Sequence, residues 1–322
     1  MSSRSASPAR YGVGETTLPR LESLGWIDRG RPAPEYEEML RTVRSGPDPE
    51  GTLNRLATLA ERNHLALTGR VGLELAVLAG ASKGLWDSLL RHPEWLEKPA
   101  APGGDPRPFV QQRIMDIALA DLHQRFDLET VTAALSDLAD ETVAFSLEQV
   151  HQEIIKRHPV DEKVPFTIIA LGKWGGRELN YASDIDLLFV YEQGQGDDSR
   201  RHAQRLATAL IDRLSRPTVE GIAYRVDADL RPEGTTGPLV RTLDSYRAYY
   251  ERWGEAWEFQ ALLKARVVAG DRDLGQRFLE MVSEFVWPAA LSPDSIRLLR
   301  QLKTRAEESA DPDDVKRAPG GI

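Results

Sequence analysis

A change of period near residue 160 constrains the fold of this chain more than any other feature. Before it, apolar residues recur at helical spacing: Leu53, Leu56, Ala57 and Ala60, then Leu73, Ala76, Val77, Leu85 and Leu89. Helical patterns resume over about 109–126 and 128–138. A longer helix is expected after Asp140, read as its N-cap, with Val143, Leu147, Val150 and Ile154 on one face up to Pro159. Beyond that point the pattern turns β-branched. Residues 164–171 and 185–191 read as buried strands, and 222–230 reads as a third, ended by Arg231-Pro232. Residues 202–214 form an amphipathic helix between them, and helices return from about Leu243. Segment 98–108 is too rich in Pro and Gly for a helix and reads as a loop. The expected class is α+β. A flexible segment over 1–50 precedes a helical region over 51–160, a strand-bearing module over 161–272, and the start of another helical domain over 273–322.

Composition narrows the function classes. With 322 residues, 41% of them hydrophobic, the chain has apolar content for two or three packed domains. A net charge of -9 argues against a general nucleic-acid binder, which needs a basic surface to neutralise phosphates. There is no cysteine, so neither disulfides nor thiolate metal ligands are available. The N-terminal residues lack the apolar core of a secretory signal, and no apolar run approaches the ~18 residues a membrane span needs. A cytoplasmic location is the expectation.

The chemistry concentrates in residues 172–186, which read Gly-Lys-Trp-Gly-Gly-Arg-Glu-Leu-Asn-Tyr-Ala-Ser-Asp-Ile-Asp. Two glycines, Gly175 and Gly176, follow an apolar strand and would let backbone approach a phosphate. Ser183 would donate its hydroxyl to a phosphate oxygen. Asp184 and Asp186 flank Ile185, and alternate strand residues share a face, so the two carboxylates converge while Ile185 and Leu187 point inward. Carboxylate and water oxygens are the ligands Mg²⁺ prefers. Asp227 is the candidate third carboxylate, with Asp229 two residues on as its competitor. Lys173, Arg177 and Arg231 are the cations available to offset polyphosphate charge. Alone, an Asp-x-Asp is more often turn chemistry or solvated charge, and a Gly-Gly says little. Their order is the signal: strand, Gly-Gly, short loop, Ser-Asp-x-Asp on a strand, then an acidic strand with Arg-Pro. That is the layout of a site for nucleotidyl transfer, in which metal ions clamp both sides of an in-line displacement at phosphorus.

Other constellations are weaker. The six histidines show no His-x-x-x-His pair, which argues against zinc. Gly194-x-Gly196 lacks the third glycine of a dinucleotide fingerprint. Tyr246, Tyr249, Tyr250, Trp253 and Trp257 have helical spacing and read as core packing. Glu307-Glu308 and Asp313-Asp314 read as solvated charge.

The stretch from Leu171 to Phe189 resembles the signature of the bifunctional glutamine synthetase adenylyltransferase/adenylyl-removing enzyme family. Residues 92–96 (His-Pro-Glu-Trp-Leu), 224–232 (Tyr-Arg-Val-Asp-Ala-Asp-Leu-Arg-Pro), 237–239, Tyr249-Tyr250 and 264–266 are similar to it as well. The likeness extends over roughly 50–322 and is most specific in 170–270. It implies a nucleotidyltransferase domain of polymerase-β type, a small mixed sheet with helices, set between helical regions. It also implies Mg²⁺ as cofactor and adenylylated glutamine synthetase, phosphate and ADP or ATP as partners, with PII signalling protein as a regulator in many members. Such enzymes carry two transfer domains: the C-terminal one moves AMP from ATP to a synthetase tyrosine, and the N-terminal one removes it by phosphorolysis.

A helical lead-in and a site near residue 180 match the N-terminal, adenylyl-removing half. The resemblance carries Asp184 and Asp186 over as metal ligands, Asp227 as third ligand or base, Gly175, Gly176, Ser183 and Lys173 as the phosphate cradle, and Arg231 as a phosphate contact. Two departures stand out. A single transfer motif is present, and Gly320-Gly-Ile322 matches only the start of a further motif, so a fragment is expected. Position 229 is Asp where some members carry a basic residue. The alternatives are another transferase of the same superfamily, acting on uridylyl groups or small molecules, and a nucleotide-sensing module without turnover.

Overall fold

The computed structural model describes residues 17–158, 164–194 and 198–288, together with 296, 297, 300, 301 and 304. The Gly194-x-Gly196 stretch falls partly outside these, and the acidic pairs at 307–308 and 313–314 and the motif at 320–322 fall wholly outside them. The chain divides into two compact units.

The first unit takes residues up to Leu138 plus the excursion Pro217–Ala223. It contains α1 (Thr17–Ser23), a hairpin of β1 (Ile27–Asp28) and β2 (Arg31–Pro32), α2 (Glu37–Arg44), α3 (Pro49–Asn63), α4 (Gly69–Ala81), α5 (Lys83–Arg91) and α6 (Pro106–Leu122). Sequence chemistry sets several helix starts. The Asp48, Ser82 and Asp105 side chains accept from the backbone N–H groups of Gly51, Leu85 and Arg107. The core gathers Trp26, Leu56, Leu59, Leu75, Leu78 and Trp86, all essentially inaccessible.

Two expectations change here. Residues 17–44 are not a loose lead-in, because Leu21, Trp26, Ile27, Met39 and Val43 are buried in that core. Residues 106–108 belong to α6, because proline is tolerated in a helix's first turn, where no intrahelical N–H bond is lost.

The long helix α7 (Leu128–Arg157) runs unbroken through both expected segments. Its start is marked by Asp127, whose carboxylate accepts from the Thr130 N–H at 2.8 Å. Asp140 is therefore mid-helix rather than a cap, and its carboxylate is spent on tertiary partners described below.

The second unit holds residues 139–216 and those from Tyr224 onward. Its sheet consists of β3 (Phe166–Ala170), β4 (Ile185–Tyr191), β5 (Val226–Asp227), β6 (Val240–Thr242) and β7 (Arg266–Gly270). The order is β5-β4-β3-β7, with β6 also pairing β4. β3 runs antiparallel to β4 and β7, whereas β5 and β6 run parallel to β4. Helices α9 (Asp198–Ser215), α10 (Leu243–Trp253), α11 (Ala256–Leu262) and α12 (Arg272–Val286) complete the unit. Ile169, Leu188 and Val190 pack with Tyr246, Tyr250, Leu274 and Phe278. Burial on both faces explains why β4 reads as an almost continuous apolar run.

The sheet departs from expectation at two places. The third strand shrinks to Val226–Asp227: residues 228–230 turn into a loop whose Ala228 carbonyl accepts from Arg231, and Ile222 and Ala223 fold with the first unit as part of 217–223. There the Arg107 Nε donates to the Gly221 carbonyl at 3.1 Å and Arg91 donates to the Val219 carbonyl at 3.0 Å. β7 occupies a stretch expected to be helical; Val267 and Val268 supply its β-branched character, and Gly270 ends it at φ 88°. In the aromatic run, Tyr246 and Tyr250 are core, while Trp253 and Trp257 are exposed.

Candidate active site

The end of β4 brings the acidic residues together. Ile185 and Leu187 are fully buried and anchor the strand, leaving Asp186 as its one partly exposed position. Asp186 is the direct register partner of Asp227 on β5, and Ile185 pairs with Val226. The ladder is extended by the Ile185 N–H, which donates to the Arg225 carbonyl at 2.9 Å. Asp184 stands one residue before β4, more than a third exposed. Asp186 and Asp227 thus stand at partner positions of a parallel pair, with Asp184 two residues before Asp186.

Each of these carboxylates has a neighbour that sets its direction. The Asp184 Oδ1 accepts from the Arg225 Nε, and the Arg225 Nη2 donates to the Ala182 carbonyl at 2.7 Å. The Asp227 Oδ1 accepts from the Asp229 backbone N–H at 2.7 Å. The Asp186 carboxylate lies against Gly172, where an added Cβ would sit 2.3 Å from Oδ2. Gly172 has φ 55°, so glycine is required there by backbone and by space. Among the described residues, no group of three His, Cys, Asp or Glu side chains is gathered to hold a metal as it stands.

The glycines expected to cradle phosphate have a different environment. A Cβ on Gly175 would lie 2.1 Å from the Lys264 carbonyl oxygen and 2.8 Å from that of Ala170. A Cβ on Gly176 would lie 2.7 Å from the Lys264 Cδ. Both residues permit close packing of the turn against the segment before β7. The one-turn helix Gly172–Gly175, α8, is fixed from behind by an ion pair. The Arg266 Nη1 and Nη2 donate to the two Asp140 oxygens at 2.6 and 3.0 Å, and Arg266 also donates to the carbonyls of Trp174 and Gly175. The Trp174 indole N–H donates to the same Asp140 at 2.8 Å. Here the mid-helix Asp140 finds its partners.

Ser183 closes the loop before Asp184, its hydroxyl donating to the Asn180 Oδ1 at 2.8 Å. Lys173 lies within the turn, and its Nζ is enclosed. Arg231 is buried at 9% exposure. Its Nε donates to the Gly237 carbonyl at 3.2 Å, Nη1 to the Ala228 carbonyl at 2.8 Å and to Asp229 at 3.1 Å, and Nη2 to the Thr235 carbonyl at 3.1 Å. The guanidinium expected to meet phosphate is the clasp of the loop that carries Asp227, and it claims the Asp229 carboxylate. That separates the two competitors: Asp227 faces Asp186, and Asp229 is turned to Arg231.

Two residues with evident roles escaped the sequence reading. Gly172 directly follows an apolar strand, and Arg225 lies two residues before Asp227 on the same strand face, so period-two alternation was the signal for it.

An α+β unit whose sheet pairs two strand-borne carboxylates, with a glycine turn against one of them, defines a class of site. Comparison with known proteins supplies the family. Residues 97–281, more than half of the chain, match the family model described as glutamate-ammonia ligase adenylyltransferase, and the chain belongs to that family. It is similar to proteins named bifunctional glutamine synthetase adenylyltransferase/adenylyl-removing enzyme. The Streptomyces avermitilis protein is 34% identical over 326 residues, covering 88% of this chain and 32% of that relative. The Mycolicibacterium smegmatis protein is 33% identical over 369 residues, covering 99% and 36%. The Bifidobacterium longum protein is 42% identical over 188 residues, covering 56% and 17%. The chain therefore spans about a third or less of the length of these relatives.

Proposed function

We propose that the 139–288 unit is a nucleotidyltransferase domain of polymerase-β type that removes AMP from an adenylylated tyrosine of glutamine synthetase, with phosphate as acceptor and ADP as product. The observation that carries this reading is the register pairing of Asp186 with Asp227, with Asp184 adjacent. The proposed domain takes in the expected module 161–272 and adds residues 139–157 of α7 before it. No described helix is long and apolar enough to cross a membrane, which accords with a cytoplasmic substrate. PII signalling protein is the proposed regulatory partner.

The donor set fits Mg²⁺: Asp184, Asp186 and Asp227 offer oxygen ligands only, and a guanidinium already sits as a positive charge on Asp184. These three residues would hold the ion, which when bound offsets charge building up at the α-phosphorus and on the leaving oxygen. In the reaction an oxygen of hydrogen phosphate bonds to the α-phosphorus, the phosphorus–tyrosine oxygen bond breaks, and the proton of the hydrogen phosphate passes through water to the phenolate. Phosphate is anionic at neutral pH and needs little help from a base. The harder task is the phenolate, whose conjugate acid has a pKa near ~10. The chain's contribution is positioning. The Asp140–Arg266 pair holds α8, the Asn180–Ser183 bond holds the entry to β4, and Arg231 holds the loop behind Asp227. Gly175 and Gly176 act by letting the turn pack, Lys173 adds positive charge inside it, and Gly172 brings backbone to the reacting face.

The test is to incubate the protein with adenylylated glutamine synthetase, Mg²⁺ and phosphate, and to measure ADP by chromatography. ADP release that disappears in Asp184→Asn/Asp186→Asn, with an unchanged circular dichroism spectrum, is the expected result. A folded wild type that yields no ADP contradicts the proposal.

A further inference from the structure

The cations around the carboxylates differ in how they are held. Arg231 is sealed into its loop by carbonyls, and Arg266 is bound by Asp140 and two carbonyls. Arg225 is the opposite case. Its side chain is 61% exposed, and its charged partner is Asp184, itself 43% exposed and one of the proposed metal ligands. An exposed ion pair of this kind adds little net stability, and the other bond of Arg225 is to the exposed Ala182 carbonyl, so a competing partner separates the pair easily. A guanidinium also presents parallel N–H donors that match a phosphate as well as a carboxylate.

We propose that Arg225 is a substrate-contacting switch: it pairs with Asp184 in the free protein and moves to a phosphate group of the substrates on binding, releasing Asp184 to the divalent cation. This rests on the proposed metal and phosphate site and adds its order of assembly. Arg225 and a divalent cation compete for one carboxylate, while phosphate and Asp184 compete for one guanidinium. Phosphate therefore promotes cation binding, and by linkage the cation promotes phosphate binding to the same degree. The coupling keeps Asp184 neutralised until both ligands are present.

The test uses Mn²⁺ as a paramagnetic probe, titrated into the protein with and without inorganic phosphate and followed by electron paramagnetic resonance. Arg225→Gln is expected to bind Mn²⁺ about fivefold tighter than wild type without phosphate, having lost the competitor. The same variant should raise the KM for phosphate by about tenfold, with Arg225→Lys recovering part of that loss. Lys264→Gln removes an exposed cation that pairs with Glu178 instead, and should leave Mn²⁺ affinity unchanged. Unaltered Mn²⁺ affinity or unaltered phosphate KM in Arg225→Gln overturns the switch. If Asp184→Asn and Asp186→Asn weaken Mn²⁺ binding while Arg225→Gln has no effect, the switch fails and the metal site stands. A wild type whose Mn²⁺ binding ignores both aspartates overturns the two together.

Discussion

The candidate site is built from two regions that hold their carboxylates by opposite means. β4 is apolar at every position but Asp186, and its side chains are locked between the sheet's flanking helices. The stretch 225–237 has only two residues in regular pairing, and a buried guanidinium organises the rest through carbonyl oxygens. The first positions a carboxylate by hydrophobic burial, the second by satisfying polar backbone around one charge. Burial is non-directional and tolerant, whereas a polar clasp depends on each hydrogen bond being made. The two regions should therefore fail differently when broken.

The largest effect is expected at the carboxylate itself. Asp186→Asn should lower ADP release by about a thousandfold, the scale of losing a dedicated electrostatic group, while thermal unfolding stays unchanged. Next is the scaffold of β4. Leu188 is fully buried, so Leu188→Ala should cost about 3 kcal/mol in urea unfolding, spread over the whole unit. Gly172→Ala should cost about 2 kcal/mol, because it combines a left-handed backbone with a side-chain overlap at Asp186. It should also lower ADP release, which Leu188→Ala should not do in the protein that stays folded.

Arg231→Met should cost less globally, about 1–2 kcal/mol, but should raise hydrogen exchange selectively at 228–237. Uniform protection loss in Arg231→Met would erase the distinction between the two regions. The smallest effect is in pH dependence. His202 on α9 is buried, with neither ring nitrogen hydrogen-bonded, and it lies edge-on to His151 with centroids 5.7 Å apart. Burial, then the His151 and Arg205 charges, lower its pKa from the ordinary value. The unfolded chain thus binds the proton more readily than the folded one. The stability His202 contributes is complete above the unfolded pKa near ~6.5 and is lost as pH falls below it, by under about 1 kcal/mol per pH unit. His202→Leu should flatten that slope in urea titrations between pH 7 and pH 5.5.

The same contrast governs how much was legible in the sequence. β4 emerges with its full span, Ile185–Tyr191, because a buried strand writes itself as a β-branched apolar run. β3 emerges for the same reason. β5 does not, since the chain before it, 217–223, joins the other unit through Arg91 and Arg107, and the residues after it turn into the loop clasped by Arg231, contacts with no local signature. β7 is as long as β3 but was hidden because it is only partly buried and opens on Arg266, so it writes no continuous apolar run. Asp140 looked like a cap because the sequence does not reveal that Trp174 and Arg266 come to meet it. In the site, the strand that carries Asp186 was legible, whereas Asp184 falls one residue before β4 begins. The role of Arg231 was not legible, because whether an arginine faces ligand or its own loop depends on tertiary burial.

In the proposed reaction phosphate, not water, receives the adenylyl group at this carboxylate site. Supplying ³²P-labelled inorganic phosphate with adenylylated glutamine synthetase and Mg²⁺ tests it directly. The label is expected in the β-phosphate of ADP, in step with loss of AMP from the synthetase. Release of AMP with the label remaining in inorganic phosphate would contradict it.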